Sequence, residues 1–318
     1  MKDRYGREIN YLRISLTDLC NLRCLYCMPA EGVCKLEHRE ILSIEEVVEI
    51  AAAAVELGIS KIRLTGGEPL VRRGVVDLVK QLKALPGLEE LVLTTNGILL
   101  PELAGPLKAA GLDRVNISLD TLDPVKYSRL TRGGSLEQAL AGLRAAEAAG
   151  LTPIKLNAVL IGGINDDEIP ALVELTRNRD IEMRFIELMP IGDAQGFGPE
   201  AYLPGTTVLE RVPDLQPLEA VPGGVARLYA LPGAAGRVGL INPLSCSFCS
   251  QCNRLRLTAD GHLKPCLHSG REIPIRGLHG QALRQALLDA VNAKPEAHTT
   301  LSATERSDAG RNMNEIGG

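Results

Sequence analysis

The sequence predicts an α/β fold in which strand and helix alternate about six times. Three observations carry that expectation. Short β-type runs recur at 11–16, 61–64, 91–94, 114–119, 154–160 and 182–188, each bounded by Gly, Asn, Asp or Pro. Segments of helical composition and spacing lie between them. After Met189-Pro190 the texture turns Gly- and Pro-rich, and the later runs suggest hairpins instead of β-α units. Such alternation implies parallel strands joined by right-handed helical crossovers, hence an open doubly wound sheet or a full or partial β/α barrel.

In chain order, Tyr11-Leu12-Arg13-Ile14-Ser15-Leu16 opens as a strand, and Ser43-Ile44-Glu45-Glu46 forms a capping box that starts a helix reaching Leu57. Further helices are expected over 75–85, 99–110 and 135–149, the last stopped by Gly150. A boundary near residue 190 divides the chain into 1–190 and 191–318. In the second part Arg254-Leu255-Arg256-Leu257 alternates with period two and runs into the turn signal Ala259-Asp260-Gly261, before His262 to Leu267 returns as a hairpin. From about Ser302 the tail is polar and ends Asn314-Glu315-Ile316-Gly317-Gly318, a composition that predicts a disordered terminus.

Composition narrows the function. With 318 residues, 45% hydrophobic and 23% charged, the chain is globular, one large domain or two smaller ones, and not fibrous, disordered or disulfide-built. No apolar run approaches the ~20 residues of a membrane span, and the start lacks an apolar signal-peptide region, which predicts a cytoplasmic protein with no membrane partner. The balance of 39 acidic against 35 basic residues argues against nucleic acid as a partner. Any anion site must be concentrated.

All eight cysteines fall in two sets, at 20, 24, 27, 34 and at 246, 249, 252, 266. In a reduced compartment clustered Cys read first as metal ligands. Cys20, Cys24 and Cys27, spaced C-x3-C-x2-C in the loop after the first strand, give three thiolates. Three are one short of a closed zinc site but suit a 4Fe-4S cluster with one open iron. Cys34 has no partner at useful spacing and reads as a packed residue. Cys249, Cys252 and Cys266 repeat the three-ligand logic, while Cys246 as a fourth would equally suit zinc or a fully ligated cluster.

Basic residues are the third signal. Arg13, Lys61, Arg63, Lys155 and Arg184 sit in strands among apolar neighbours, and Lys61/Arg63, like Arg254/Arg256, are spaced i,i+2 on one strand face. Buried inside a barrel they would need an anion, and several guanidinium and ammonium groups together suit a triphosphate. The alternative is an outer solvated face, or pairing with Glu37, Glu68 and Glu187.

The triplet with Tyr26 before its last Cys, together with Thr65-Gly66-Gly67-Glu68-Pro69 at the end of the second strand, resembles the radical S-adenosylmethionine (SAM) enzymes. More specifically, Leu12 to Cys20, Cys27-Met28-Pro29, Lys61 to Leu70, Thr94-Thr95-Asn96-Gly97, Asn116 to Asp120, Cys249-x2-Cys252-Asn253-Arg254-Leu255-Arg256 and the terminal Gly317-Gly318 are similar to the GTP 3′,8-cyclase family of molybdenum cofactor biosynthesis. The likeness runs from about Arg13 to Gly318. It implies a partial (β/α)6 TIM-type barrel whose C-terminal extension carries the hairpin and a second iron-sulfur site. It implies a lyase using two 4Fe-4S clusters and SAM, in which a 5′-deoxyadenosyl radical takes hydrogen from ribose C3′ of GTP and the carbon radical attacks guanine C8.

Carried over by position, the resemblance implies that Cys20, Cys24 and Cys27 hold the catalytic cluster and Cys249, Cys252 and Cys266 the second. Tyr26, Gly67, Ser118 and Met189 would line the SAM site. Arg13, which also counts among the catalytic residues, would grip GTP with Arg63, Thr94, Lys155, Arg254, the Leu255 backbone and Arg256; Lys61 and Arg184 are further candidates. The Gly317-Gly318 tail would reach into the active site. An external electron donor, a homodimer and a functional link to cyclic pyranopterin monophosphate synthase are the expected partners. Residues 267–276 depart from the family pattern. The competing readings are a peptide-modifying maturase with an auxiliary cluster, and a non-catalytic electron carrier or zinc-stabilised scaffold.

Overall fold

Six parallel strands order the molecule: β1 (Tyr11–Ser15), β2 (Lys61–Thr65), β3 (Glu90–Thr95), β4 (Arg114–Ser118), β5 (Ile154–Leu160) and β6 (Ile181–Glu187). They coincide with the six expected runs to within a residue or so at each end. The computed structural model describes residues 1–33, 36–219, 223–245, 248–299, 301–302, 305 and 307–317. Cys34, Cys246 and Gly318, each singled out in the sequence, lie outside the described residues.

Helices α1 (Ile44–Glu56), α2 (Val75–Lys83), α3 (Leu100–Ala109), α4 (Pro124–Thr131), α5 (Leu136–Ala148) and α6 (Ile169–Glu174) fall between the strands. Ser43 caps α1 as its sequence predicts: its Oγ accepts from the Glu46 N–H at 3.2 Å and the Glu46 carboxylate accepts from the Ser43 N–H at 2.7 Å. Outward residues such as Leu12, Ile14, Ile62, Leu64, Leu91, Leu93, Val115 and Ile117 pack into one apolar core with the inner faces of the helices. The alternate residues point to the other side of the sheet.

The C-terminal part extends both edges of this sheet. After α7 (Thr207–Arg211) come β7 (Gln216–Pro217), β8 (Arg227–Ala230) and β9 (Arg237–Ile241), and β9 runs parallel to β6. The chain then crosses to the opposite edge, where β10 (Arg254–Leu257) runs parallel to β1 and continues into β11 (His262–Lys264) and β12 (Ile273–Pro274). The twelve strands form one sheet with β12 and β7 at its ends, a barrel that stays open. Helix α8 (Gly280–Asn292) then packs on α1.

The expected hairpin is present, although its return strand stops at Lys264 instead of Leu267. Gly261 in its turn has φ +84°, and a side chain there would also meet Arg276. The disordered terminus expected from composition is overturned for residues 307–317. Ile316 and Ala309 are buried against Ile191, and the Asn314 amide donates to the Asp18 carbonyl at 3.0 Å. A polar composition misleads here because a few apolar side chains and directed hydrogen bonds suffice to fix a short segment against an existing surface.

Gly142, inside α5, faces the loop after β3, and a Cβ there would lie 2.0 Å from the Gly97 carbonyl oxygen. Helix propensity alone favours Ala over Gly by about 1 kcal/mol, but backbone cannot yield like a side-chain end. Gly142→Ala is therefore expected to destabilise the fold by about 1–3 kcal/mol, read as a lowered thermal or urea midpoint; an unchanged or raised midpoint would show that the two segments can separate.

Candidate functional site

Two cavities open on the inner face of the sheet. The first is lined by Cys20, Cys24, Tyr26, Cys27, Gly66, Gly67, Glu68, Thr94, Ser118 and Asp120 among others; the second by Tyr11, Arg13, Arg63, Arg184, Cys249, Cys252, Arg254, Arg256 and Cys266 among others. Asn157, Ile186, Met189 and Met313 line both. The two cysteine sets, far apart in the chain, thus face cavities that share a wall.

The first cavity is built by lashing two loops together. The Gly67 and Glu68 N–H groups donate to the Thr17 and Leu19 carbonyls, both at 2.8 Å, so the loop after β2 lies directly on the loop bearing the cysteines. A Cβ at Gly66 would stand 2.5 Å from the Thr17 oxygen and one at Gly67 2.4 Å from the Leu19 oxygen, so only glycine permits this approach. Glu68 then accepts from the Thr95 hydroxyl at 2.8 Å, the Asn96 N–H at 2.7 Å and the Leu70 N–H at 3.0 Å. Burial nevertheless pushes its carboxyl up to about 7. Asp120, pushed up by burial to about 6, accepts from the Tyr26 hydroxyl and the Val159 N–H, both at 2.8 Å. Glu68 as an organiser of the loops and Asp120 as the partner of Tyr26 are not evident as such in the sequence; an acid at the C-terminal end of a strand is the available signal.

The thiols of this set are strongly desolvated. Burial raises Cys20 to about 11 and Cys27 to about 12, and raises Cys24 well above the usual thiol value, with neighbouring Cys27 adding to it. Such thiols need a cation to become thiolates. Among the described residues no three Cys, His, Asp or Glu side chains meet around a point as a single ion requires. A cubic cluster instead takes each thiolate at its own iron, so its ligands stand apart around a shared space, and three half-buried thiols on one cavity fit that demand.

In the second cavity, parallel register places Arg13 beside Arg63 on one flank and Arg256 on the other. Tyr11 lies between Arg254 and Lys61, with Lys61 5.3 Å and Arg63 and Arg254 each 5.6 Å from its ring centroid. Burial pulls Arg13 well below its ordinary value and Arg63 and Arg256 to about 10, with neighbouring cations adding to each. Burial and Arg184 take Lys155 down to about 7. The Tyr11 hydroxyl, the Nε of Arg63 and of Arg254, and Asn157 Oδ1 are buried without hydrogen-bond partners among the described residues. A polyanion would relieve this crowding.

For Lys61, Lys155 and Arg184 the partner acids are Glu90 and Glu182, not the Glu37, Glu68 or Glu187 weighed from sequence. Glu90 holds Lys61 and Arg114, and Glu182 holds Lys155 at 3.0 Å, Arg237 at 2.8 Å and Arg184. Glu187 instead takes backbone N–H groups of Gly205, Leu244 and Ser245. Thr94 faces the first cavity, and the Arg63 Nη1 of the second reaches its hydroxyl at 3.5 Å. The Leu255 side chain is buried in the core on the far face, leaving only its backbone between Arg254 and Arg256. Arg256 Nη1 donates to the Gly317 carbonyl at 2.7 Å and the Ile316 carbonyl at 3.2 Å, which draws the tail to the cavity. Tyr11, missed in the sequence, alternates in phase with Arg13 and is accessible to the same period-two argument.

Residues 14–176 match the model of the Radical SAM superfamily and residues 181–300 that of Molybdenum Cofactor Synthesis C. The chain is 51% identical over 321 residues to the GTP 3′,8-cyclase of Alkaliphilus oremlandii, covering 100% of both, and 54% identical over 320 residues to that of Peptoclostridium acidaminophilum, covering 99% of this chain and 98% of the relative. The chain belongs to the GTP 3′,8-cyclases of the radical SAM superfamily. Among solved structures, Streptococcus suis SuiB superposes with TM-score 0.64 at 16% identity, covering 92% of this chain and 68% of SuiB, a likeness of fold. The fold class expected from the resemblance therefore stands. No helix among the described residues of this cyclase-family chain is long and apolar enough to cross a membrane.

Glu68 and Asp120 give the ligand-free protein a pH dependence. Both folded-state values, about 7 and about 6, lie above the ordinary 4.5 and 3.8. Their contribution is complete below the unfolded values and is lost as pH rises through the folded ones. The urea midpoint should fall between about pH 4 and about pH 7, and fall less steeply in Glu68→Gln; parallel slopes would mean that Glu68 does not titrate in this window.

Proposed function

We propose that this chain converts GTP to (8S)-3′,8-cyclo-7,8-dihydroguanosine 5′-triphosphate, the first step of molybdenum cofactor biosynthesis, with two 4Fe-4S clusters and SAM as cofactors. The observation that carries the reading is the shared wall: a cysteine triplet opens on one cavity, a second triplet and a cluster of arginines open on the other, and Met189 and Asn157 belong to both.

Cys20, Cys24 and Cys27 would hold the first cluster, with Tyr26, Gly67, Ser118 and Met189 around SAM. Cys249, Cys252 and Cys266 would hold the second. Once bound, the first cluster supplies the electron that cleaves SAM, providing the radical that removes a hydrogen atom from the GTP ribose. The protein's own contribution is placement. Arg13, Arg63, Arg254 and Arg256, with the Leu255 backbone between the last two, would fix the triphosphate, while Lys155 and Thr94 complete the grip from neighbouring strands. Glu90 pairs with Lys61 and Arg114, and Glu182 with Arg184, Arg237 and Lys155, so Lys155 would meet the substrate as part of an ion pair.

The division into a catalytic barrel of residues 1–190 and an auxiliary region of 191–318 follows this assignment. We place the protein in the cytoplasm, as a homodimer fed by an external electron donor, with its product passed to cyclic pyranopterin monophosphate synthase.

Anaerobic reconstitution, dithionite reduction and incubation with SAM and GTP should yield 5′-deoxyadenosine and a cyclised GTP isomer by mass spectrometry. Deoxyadenosine without GTP turnover would discard the substrate, and neither product from a protein carrying about seven to eight irons would discard the enzyme. Arg254→Ala with Arg256→Ala should weaken GTP binding by about 2 kcal/mol for each charge-assisted hydrogen bond that the truncation removes, measured by calorimetry; unchanged affinity would remove these residues from the substrate site.

A further inference from the structure

Lys294 follows helix α8 in sequence and is 1% exposed, among the most deeply buried large side chains of the protein. A lysine ammonium has three donors, and all three are directed at the second cysteine set and its hairpin. Nζ lies 2.6 Å from the Arg254 carbonyl, 2.8 Å from the Pro265 carbonyl and 3.7 Å from Cys252 Sγ. Two carbonyls satisfy donors but do not cancel a charge. The remaining contact is sulfur.

The surroundings sharpen the point. Arg7, another buried cation here, donates to the Cys249 carbonyl at 2.8 Å, the Pro295 carbonyl at 2.6 Å and the Glu296 carbonyl at 2.9 Å. Its charge is matched by Asp3 at 2.7 Å. Arg7 therefore clamps the segment carrying Lys294 to the Cys249 loop as a neutral pair, while Lys294 has no carboxylate partner among the described residues and meets a cysteine sulfur instead.

We infer that Lys294 is a positioning residue of the second cluster: its ammonium braces Arg254 and Pro265, which flank Cys252 and Cys266, and offsets the negative charge of the thiolate-bound cluster, favouring the reduced state. This rests on the assignment of a cluster to Cys249, Cys252 and Cys266. Reduction adds one electron, taken from dithionite in the measurement below, with no bond made or broken. A fixed buried cation beside a thiolate ligand favours the form with more negative charge.

The test uses the full-length chain with Cys20, Cys24 and Cys27→Ala, reconstituted so that only the second cluster is present, and measures iron content and midpoint potential by electron paramagnetic resonance. The parent should hold about four irons; a parent without iron removes the cluster assignment and the inference with it. Lys294→Gln and Lys294→Met should shift the potential to more negative values, a roughly tenfold or greater loss of reduced cluster at fixed poise, or ~59 mV per factor of ten. An unchanged potential in either loaded neutral variant overturns the inference while leaving the cluster assignment intact. If neither neutral variant retains iron, Lys294→Arg should restore it, since it returns the charge; failure of Lys294→Arg as well would mark Lys294 as a packing residue and overturn the inference.

Discussion

The constraint on which the rest depends is a row of like charges. Arg256, Arg13 and Arg63 occupy adjacent positions on three parallel strands, where neighbouring backbones run about 4.8 Å apart. Like charges placed opposite one another weaken a sheet. The register is nevertheless fixed, because the alternate residues Leu12, Ile14, Leu255, Leu257, Ile62 and Leu64 are buried in the core on the other face, and a slip of one residue would exchange the two faces. The apolar side thus imposes the arginine row, and the repulsion it creates is one that an anion would relieve. Local conflict of this kind is tolerated where function uses it.

The acids show how that repulsion is confined. Glu90 and Glu182 each gather cations on the inner face, the latter from three side chains on three adjacent strands. Their partners Lys61, Lys155 and Arg184 group with the arginines in the sequence because all are strand cations of the same phase. Strand phase says which face a side chain takes, but not which acid crosses to meet it, since that depends on register between strands far apart in the chain. Glu182 is closest to legible: it lies two residues before Arg184, hence on the same face. Glu90 pairs through β2 and β4, and nothing in its local sequence announces that.

The cysteines and strands are legible because each is encoded over a few residues, by x3 and x2 spacings or by period two. The tail and Lys294 are not. Asn314 reaches Asp18, Arg256 reaches Gly317, and Arg311 bonds Asp260 at 2.8 Å and Glu272 at 2.7 Å. Each partner is distant in sequence, so a polar stretch that composition assigns to disorder is held by single directed bonds. Gly317 adds a steric clause: its φ is +68° and a Cβ would lie 2.1 Å from the Thr65 hydroxyl, a place a side chain cannot enter.

Topology then determines where the second cysteine set must be. Strand β9 extends the β6 edge and β10 extends the β1 edge, so the chain passes from one edge of the six-stranded core to the other between them. Cys249 and Cys252 lie on that passage, and the β10–β11 hairpin brings Cys266 back to the same cavity. The first set follows β1, at the same ends of the strands where the loops after β2 and β3 gather around it. One cysteine set therefore sits within the barrel's own loops and the other on the passage between its edges and the hairpin that follows. The inner-face arginines, fixed by the core behind them, line the cavity of the second set, which shares a wall with that of the first.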